Sequence, residues 1–203
     1  ILTARSISRD EKAYSQGKGV ELIEKPIARD AFIFLINPDN PVSSLTISQI
    51  QDIYTGKITS WKEVGGEDRP ITAYTRNRNS GSQEKMETLV MAGLEMIEGT
   101  EMSVGQTMMS PYYQIGGDIS GIGYTPFYYY DTIVNNGETK AVGVNGTVPS
   151  KKTIKDRSYP YCTEIYAAVR ADIDRTSLAW LLFEYLSSGS GIRIIEESGY
   201  IRL

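Results

Sequence analysis

Histidine is absent from this 203-residue sequence, and cysteine occurs once, at Cys162. The first absence removes the commonest general base and the commonest metal ligand. The second excludes an intrachain disulfide and a cysteine zinc site. A catalytic thiol at Cys162 would lack the imidazole that normally activates it, so a small packed residue is the expected reading. No apolar run approaches the ~20 residues of a membrane-spanning helix, and the longest strand-like run is Ala31–Ile36. Nor is there an excess of positive charge. Lys and Arg number 21 against 25 Asp and Glu, for a net charge of −4, and the bases are scattered. The basic stripe that nucleic acid requires is therefore missing. No signal-peptide pattern opens the sequence, and Ile1 leads directly into structured-looking chain, so a trimmed N-terminus is expected.

What is present suits a globular α/β protein, with 40% hydrophobic residues and enough length for one large domain or two small lobes. Residues 7–16 are expected to form a helix ending at Gly17, and 20–27 an extended segment. The continuously apolar Ala31–Ile36 suits a strand buried on both faces of a parallel sheet. Thr46 is placed to cap a helix carrying Ile47, Ile50, Ile53 and Tyr54, which Gly56 stops. A strand at 71–75, a polar turn at 76–80 and a helix over 81–92 with Met86, Leu89 and Val90 on its apolar face come next. A further helix is expected over 103–115, with Met108 and Met109 in the core. Strands at 141–144 and 165–169 follow. The spacing then predicts an amphipathic helix over 177–186 with Leu178, Leu181, Leu182 and Tyr185 inward, and a last helix near 191–197. This alternation predicts mostly parallel sheets.

The chemistry concentrates between 71 and 92. A strand runs into Arg76-Asn-Arg-Asn-Ser80-Gly-Ser82-Gln83, and a helix begins at once. The first amides of a helix lack backbone partners and carry partial positive charge, which suits an anion. Gly81 permits close approach of a ligand to the backbone, Ser80 and Ser82 offer hydroxyl donors, and Arg76 offers a charged fork. The segment lacks the lysine of a nucleotide-binding P-loop. A serine at a helix start is also an ordinary cap, so the pattern alone leaves both readings open. Arg78 reads as a solvated or ion-paired turn residue, the tyrosines of 124–130 as a packing cluster or partner surface, and Trp61 as loop packing. Asp118 and Asp131 lie near glycine-rich turns, with nothing to fix a hydrolytic spacing between them.

A succession of motifs then appears in order: Asn37-Pro-Asp-Asn-Pro-Val42, Leu45-Thr, Ile53-Tyr-Thr-Gly-Lys-Ile58, Trp61-Lys-Glu-Val-Gly-Gly66, Pro70-Ile71, and Arg76 with Ser80-Gly-Ser82. Gly121-Ile-Gly-Tyr124, Gly146 with Val148-Pro149, and Tyr159-Pro160 with Tyr166 follow. Over nearly the whole chain this resembles the phosphate-binding component of high-affinity phosphate ABC transporters. The resemblance implies a two-lobed, type II periplasmic-binding-protein architecture that closes over its ligand. Lobe I would be residues 1–36 and 162–203, lobe II residues 37–161, with hinge crossings near 36–40 and 158–164.

The ligand set implied is Arg76, Ser80, Gly81 and Ser82, joined by Arg5 from the other lobe, because Thr3-Ala-Arg5-Ser-Ile7 resembles a short Ser-Arg or Ser-Asp element of the family. The family's first two anion-contacting loops lie upstream of that element and have no counterpart here, so the first lobe is expected to be N-terminally truncated. Some members place a carboxylate at the Arg5 position to accept the proton of hydrogen phosphate, and arginine here leaves discrimination from sulfate open. The resemblance implies an extracytoplasmic monomer, free or lipid-anchored, with inorganic phosphate and an ABC permease as partners. It implies no enzyme activity, cofactor or metal. Sulfate or molybdate binding, a sensory module without ligand, and a phosphate-ester hydrolase are the competing readings.

Overall fold

The structure, a computed structural model, describes residues 1–77, 80–98, 100–101, 110–134 and 136–203. Arg78, Met108, Met109 and most of the helix expected over 103–115 lie outside these. The chain divides into two compact units, Ile1–Asp30 with Cys162–Leu203, and Ala31–Tyr161.

In the first unit, β1 (Leu2–Thr3) pairs antiparallel with β8 (Cys162–Arg170), which neighbours the start of β2 (Leu22–Ile36). The helix α1 (Arg9–Gly17) begins with a capping box in which Ser8 accepts from the Glu11 amide and the Glu11 side chain returns to the Ser8 amide. Ile27, Ala28, Ile165, Ala167, Phe183 and Ile195 form the core, with Trp180 and Leu186 against it. Phe183 comes from α6 (Leu178–Tyr185) and Ile195 from α7 (Gly189–Glu197).

Here one expectation is corrected. Leu178, Leu181, Leu182 and Tyr185 are exposed, Leu178 by 84%, and the face turned inward carries Phe183 and Trp180. A helix apolar nearly all round has no single preferred face by hydrophobicity alone, so the elements packed opposite it settle which residues dock.

The second unit is built on the rest of β2. Its Phe32–Ile36 stretch pairs antiparallel with β6 (Gly121–Pro126), and Phe34–Ile36 pairs antiparallel with β7 (Lys140–Val144) on the other side. Ala31–Ile36 is fully buried as expected, but its neighbours are not parallel. A continuous apolar run reports burial of both faces and is silent about strand direction. Parallel pairing occurs around β4 (Thr72–Thr75), which lies between β6 and β5 (Thr100–Glu101), and between β3 (Ser44–Leu45) and β7. The sheets are therefore mixed.

Helix α2 (Ile47–Tyr54) is capped by Thr46 in a second capping box and buries Ile50, Ile53 and Tyr54. The Tyr54 hydroxyl donates to the carbonyls of Tyr74 and Ile122, at 3.2 and 3.3 Å, which braces β4 against β6. Trp61 is buried and its indole N–H donates to the Ser120 carbonyl. Helix α3 (Gly81–Lys85) runs into π-helical turns over Met86–Met91. The wider turn moves the apolar stripe: Met86, Val90 and Met91 are buried, while Leu89, expected inward, is exposed. Short helices α4 (Ser110–Gly117) and α5 (Lys151–Lys155) complete the unit. Among the described residues, no helix is long and apolar enough to cross a membrane.

Candidate functional site

The turn from β4 into α3 is organised by its own side chains. Ser80 has extended backbone and caps α3, its Oγ accepting from the Gln83 amide at 3.1 Å. The Ser80 amide donates to the Asn77 carbonyl at 2.9 Å. The Ser80 hydroxyl hydrogen is not consumed by the cap and remains available to an anion. Gly81 is exposed and a Cβ there would meet no atom within 4 Å, so the backbone is open to approach at this point. Ser82 is half-buried beside it.

Arg76 follows β4 directly. Its Nε is buried and donates to no described residue, while its backbone N–H is held twice. It donates to Gln83 Oε1 at 3.1 Å and to the Tyr124 hydroxyl at 3.1 Å. Tyr124 in turn donates to Gln83 Oε1. The Gln83 side-chain amide points its nitrogen at Glu87 Oε1, 2.9 Å away. Burial pushes the Tyr124 phenol well above its ordinary pKa, so it stays a neutral donor throughout the physiological range. Neither Gln83 nor Tyr124 was singled out as functional from sequence. The available signal was a glutamine at i, i+3 and i+7 spacing with Met86 and Val90, a polar group on a buried stripe.

Arg5 lies in the first unit. Its guanidinium makes a bidentate pair with Glu11, Nη1 to Oε2 at 2.7 Å and Nη2 to Oε1 at 3.1 Å, and donates to the Ser6 carbonyl. The pair is exposed, at 40% and 51% of the two side chains. Arg5 beside it draws the Glu11 pKa down to about 2. Asp118 accepts from the Tyr74 hydroxyl and the Ser120 amide, and Asp131 pairs with Lys151 at 3.1 Å. Each carboxylate has a structural partner of its own. Among the described residues, no three Cys, Asp or Glu side chains cluster as metal ligands would.

A family model describing the PBP superfamily domain matches residues 1–177. The chain belongs to the PBP superfamily. Among curated relatives, the phosphate-binding protein PstS of Staphylococcus epidermidis is 29% identical over 208 residues, covering 98% of this chain and 62% of the relative. The PstS of Bacillus subtilis is 28% identical over 182 residues, covering 89% and 57% respectively. The chain thus spans about three fifths of the length of these curated relatives. Of solved structures, one from Clostridium perfringens, assigned as a phosphate ABC transporter substrate-binding protein and holding phosphate, superposes with TM-score 0.78 at 26% identity. It covers all of this chain and 78% of the other. An ABC-type phosphate transport receptor from Vibrio cholerae superposes with TM-score 0.76 at 24% identity, covering 100% of this chain and 79% of the receptor, and supports the fold. The type II two-lobed binding-protein fold expected from sequence is the fold of these neighbours.

Proposed function

We propose that this chain is the phosphate-holding part of an extracytoplasmic solute-binding protein that serves an ABC uptake transporter. The observation that carries the reading is the buried Nε of Arg76, which donates to no described residue and belongs to the residue that follows β4 and whose backbone N–H donates to Gln83 of α3. A buried donor left unpaired is unfavourable by about 1–3 kcal/mol, and an anion that accepts from it removes that penalty. The relatives named for phosphate binding, and the phosphate-bound neighbour, support the choice of anion.

The proposed ligand shell is Arg76 with Ser80, Gly81 and Ser82 of the second unit. Arg5, the other arginine expected from sequence, belongs to the first unit and is paired with Glu11, which an anion would have to replace there. The two units would act as the lobes of the binding protein, and the protein releases its ligand unchanged to the permease. Membrane contact would run through the permease or a lipid anchor. Isothermal titration with inorganic phosphate tests the reading, with sulfate as competitor. Phosphate binding that sulfate displaces poorly is the expected result. Displacement by sulfate as effective as by phosphate overturns the choice of anion, and absence of binding to either overturns the site.

A further inference from the structure

The β4–β6 ladder ends at the pair Ala73–Ile122. Beyond it the chain must turn through Arg76 toward the cap at Ser80. The Arg76 amide nonetheless has two acceptors, both side-chain atoms that reach it from elsewhere: the Tyr124 hydroxyl from β6 and Gln83 Oε1 from α3. Tyr124 is 1% exposed and Gln83 7%. Each side of this triangle is a hydrogen bond, since Tyr124 also donates to Gln83. The Glu87 carboxylate takes the Gln83 amide nitrogen and so fixes which way the amide faces. A buried, mutually bonded set of this kind holds one geometry.

Resting on the reading proposed above, we infer that Gln83 and Tyr124 are positioning residues of the anion site. They clamp the Arg76 backbone to the helix whose first turn carries Ser80, Gly81 and Ser82. The clamp touches no ligand. It sets the separation between the guanidinium and the hydroxyl and amide donors before the anion arrives, and so lowers the ordering required on binding. Gln83 is the pivotal atom donor and acceptor, because the same side chain joins the strand exit, the tyrosine and the helix.

The test is a double-mutant cycle on the full chain, with inorganic phosphate as probe and isothermal titration as readout. Tyr124→Phe and Gln83→Met keep shape and remove the clamp's hydroxyl or acceptor. Each is expected to weaken phosphate binding about 3- to 10-fold in the wild-type background. In an Arg76→Met background the same changes are expected to alter affinity by less than about 2-fold, because they act through Arg76. A spectroscopic signature separates positioning from general loosening. The Arg76 Nε–Hε resonance, which phosphate should move in the wild type, moves less in either variant at saturating phosphate. Thermal melts accompany each variant, and Gln83→Met carries the cycle where Tyr124→Phe does not fold. Wild-type affinity in both single variants, alongside a weakened Arg76→Met, overturns the clamp and leaves the anion site standing. Equal losses in both backgrounds also overturn it. Failure of the wild type to bind phosphate overturns the site and the clamp together.

Discussion

Replacing Arg76 with methionine should separate its two energetic roles. The arginine buries an Nε that donates to no described residue, an arrangement that is unfavourable by about 1–3 kcal/mol. Methionine keeps the side chain as far as the Nε position and removes that donor together with the rest of the guanidinium. Arg76→Met should therefore melt at or above the wild-type temperature in phosphate-free buffer, by up to about 2–4 °C per kcal/mol recovered in a chain of this size. With phosphate the sign reverses. A hydrogen bond to a charged group contributes about 1.5–3 kcal/mol, so affinity should fall roughly 10- to 150-fold. At a phosphate concentration 100 times the wild-type Kd, binding stabilises the wild type by about 2.7 kcal/mol, and the same concentration should stabilise the variant by no more than about 1.4 kcal/mol. Differential scanning calorimetry with and without phosphate measures both quantities. An equal phosphate-induced shift in the two proteins refutes the assignment of Arg76 to the site. A large loss of stability in phosphate-free Arg76→Met refutes the claim that its Nε is held at a penalty.

Two further outcomes follow from named contacts. Glu11 has its pKa lowered to about 2 by Arg5 and the Ser8 cap, so its contribution to stability is complete above the ordinary carboxylate pKa and is lost as pH falls from about 4.5 toward 2. Glu11→Gln should flatten that acid limb in melts recorded against pH, by a small amount because both partners are exposed; an unchanged limb removes the pair from the account. Gly191 lies within α7, where a Cβ would come 2.0 Å from the Tyr185 carbonyl oxygen. Gly191→Ala should therefore destabilise by about 1–3 kcal/mol in urea unfolding, although alanine is the better helix former. Stabilisation instead would show that α6 and α7 do not approach so closely.

Local signals were legible in the sequence where one short segment contains all the interacting atoms. Thr46 with Gln49 and Ser80 with Gln83 are caps closed within three residues, and they set helix starts at Ile47 and Gly81. The proximity of Arg76 to the Ser80-Gly81-Ser82 turn is of the same kind. Signals that depended on what lay opposite were not legible. The direction of the strands beside Ala31–Ile36, the face α6 would bury, and the drift of the apolar stripe from Leu89 to Met91 all required the partner element. The Gln83–Tyr124 contact spans 41 residues of sequence, and no local pattern in either segment points to the other.

The two arginines expected from sequence to meet an anion differ in what already holds them. Arg5 has its charge matched by the fork-on-fork contact with Glu11. An anion arriving there exchanges one oxygen pair for another and sets a carboxylate free beside itself, so the net electrostatic gain is small in so exposed a position. Arg76 is held by its backbone, through the uncharged acceptors Tyr124 and Gln83, and among the described residues no carboxylate has to be displaced from its Nε. An anion there meets a donor already stripped of water, where a charge-assisted bond is strongest. Holding the chain by its amide leaves Nε without an acceptor among the described residues. The affinity of the site should accordingly be governed by the strand that carries Arg76 and by the two neutral side chains that fix its end.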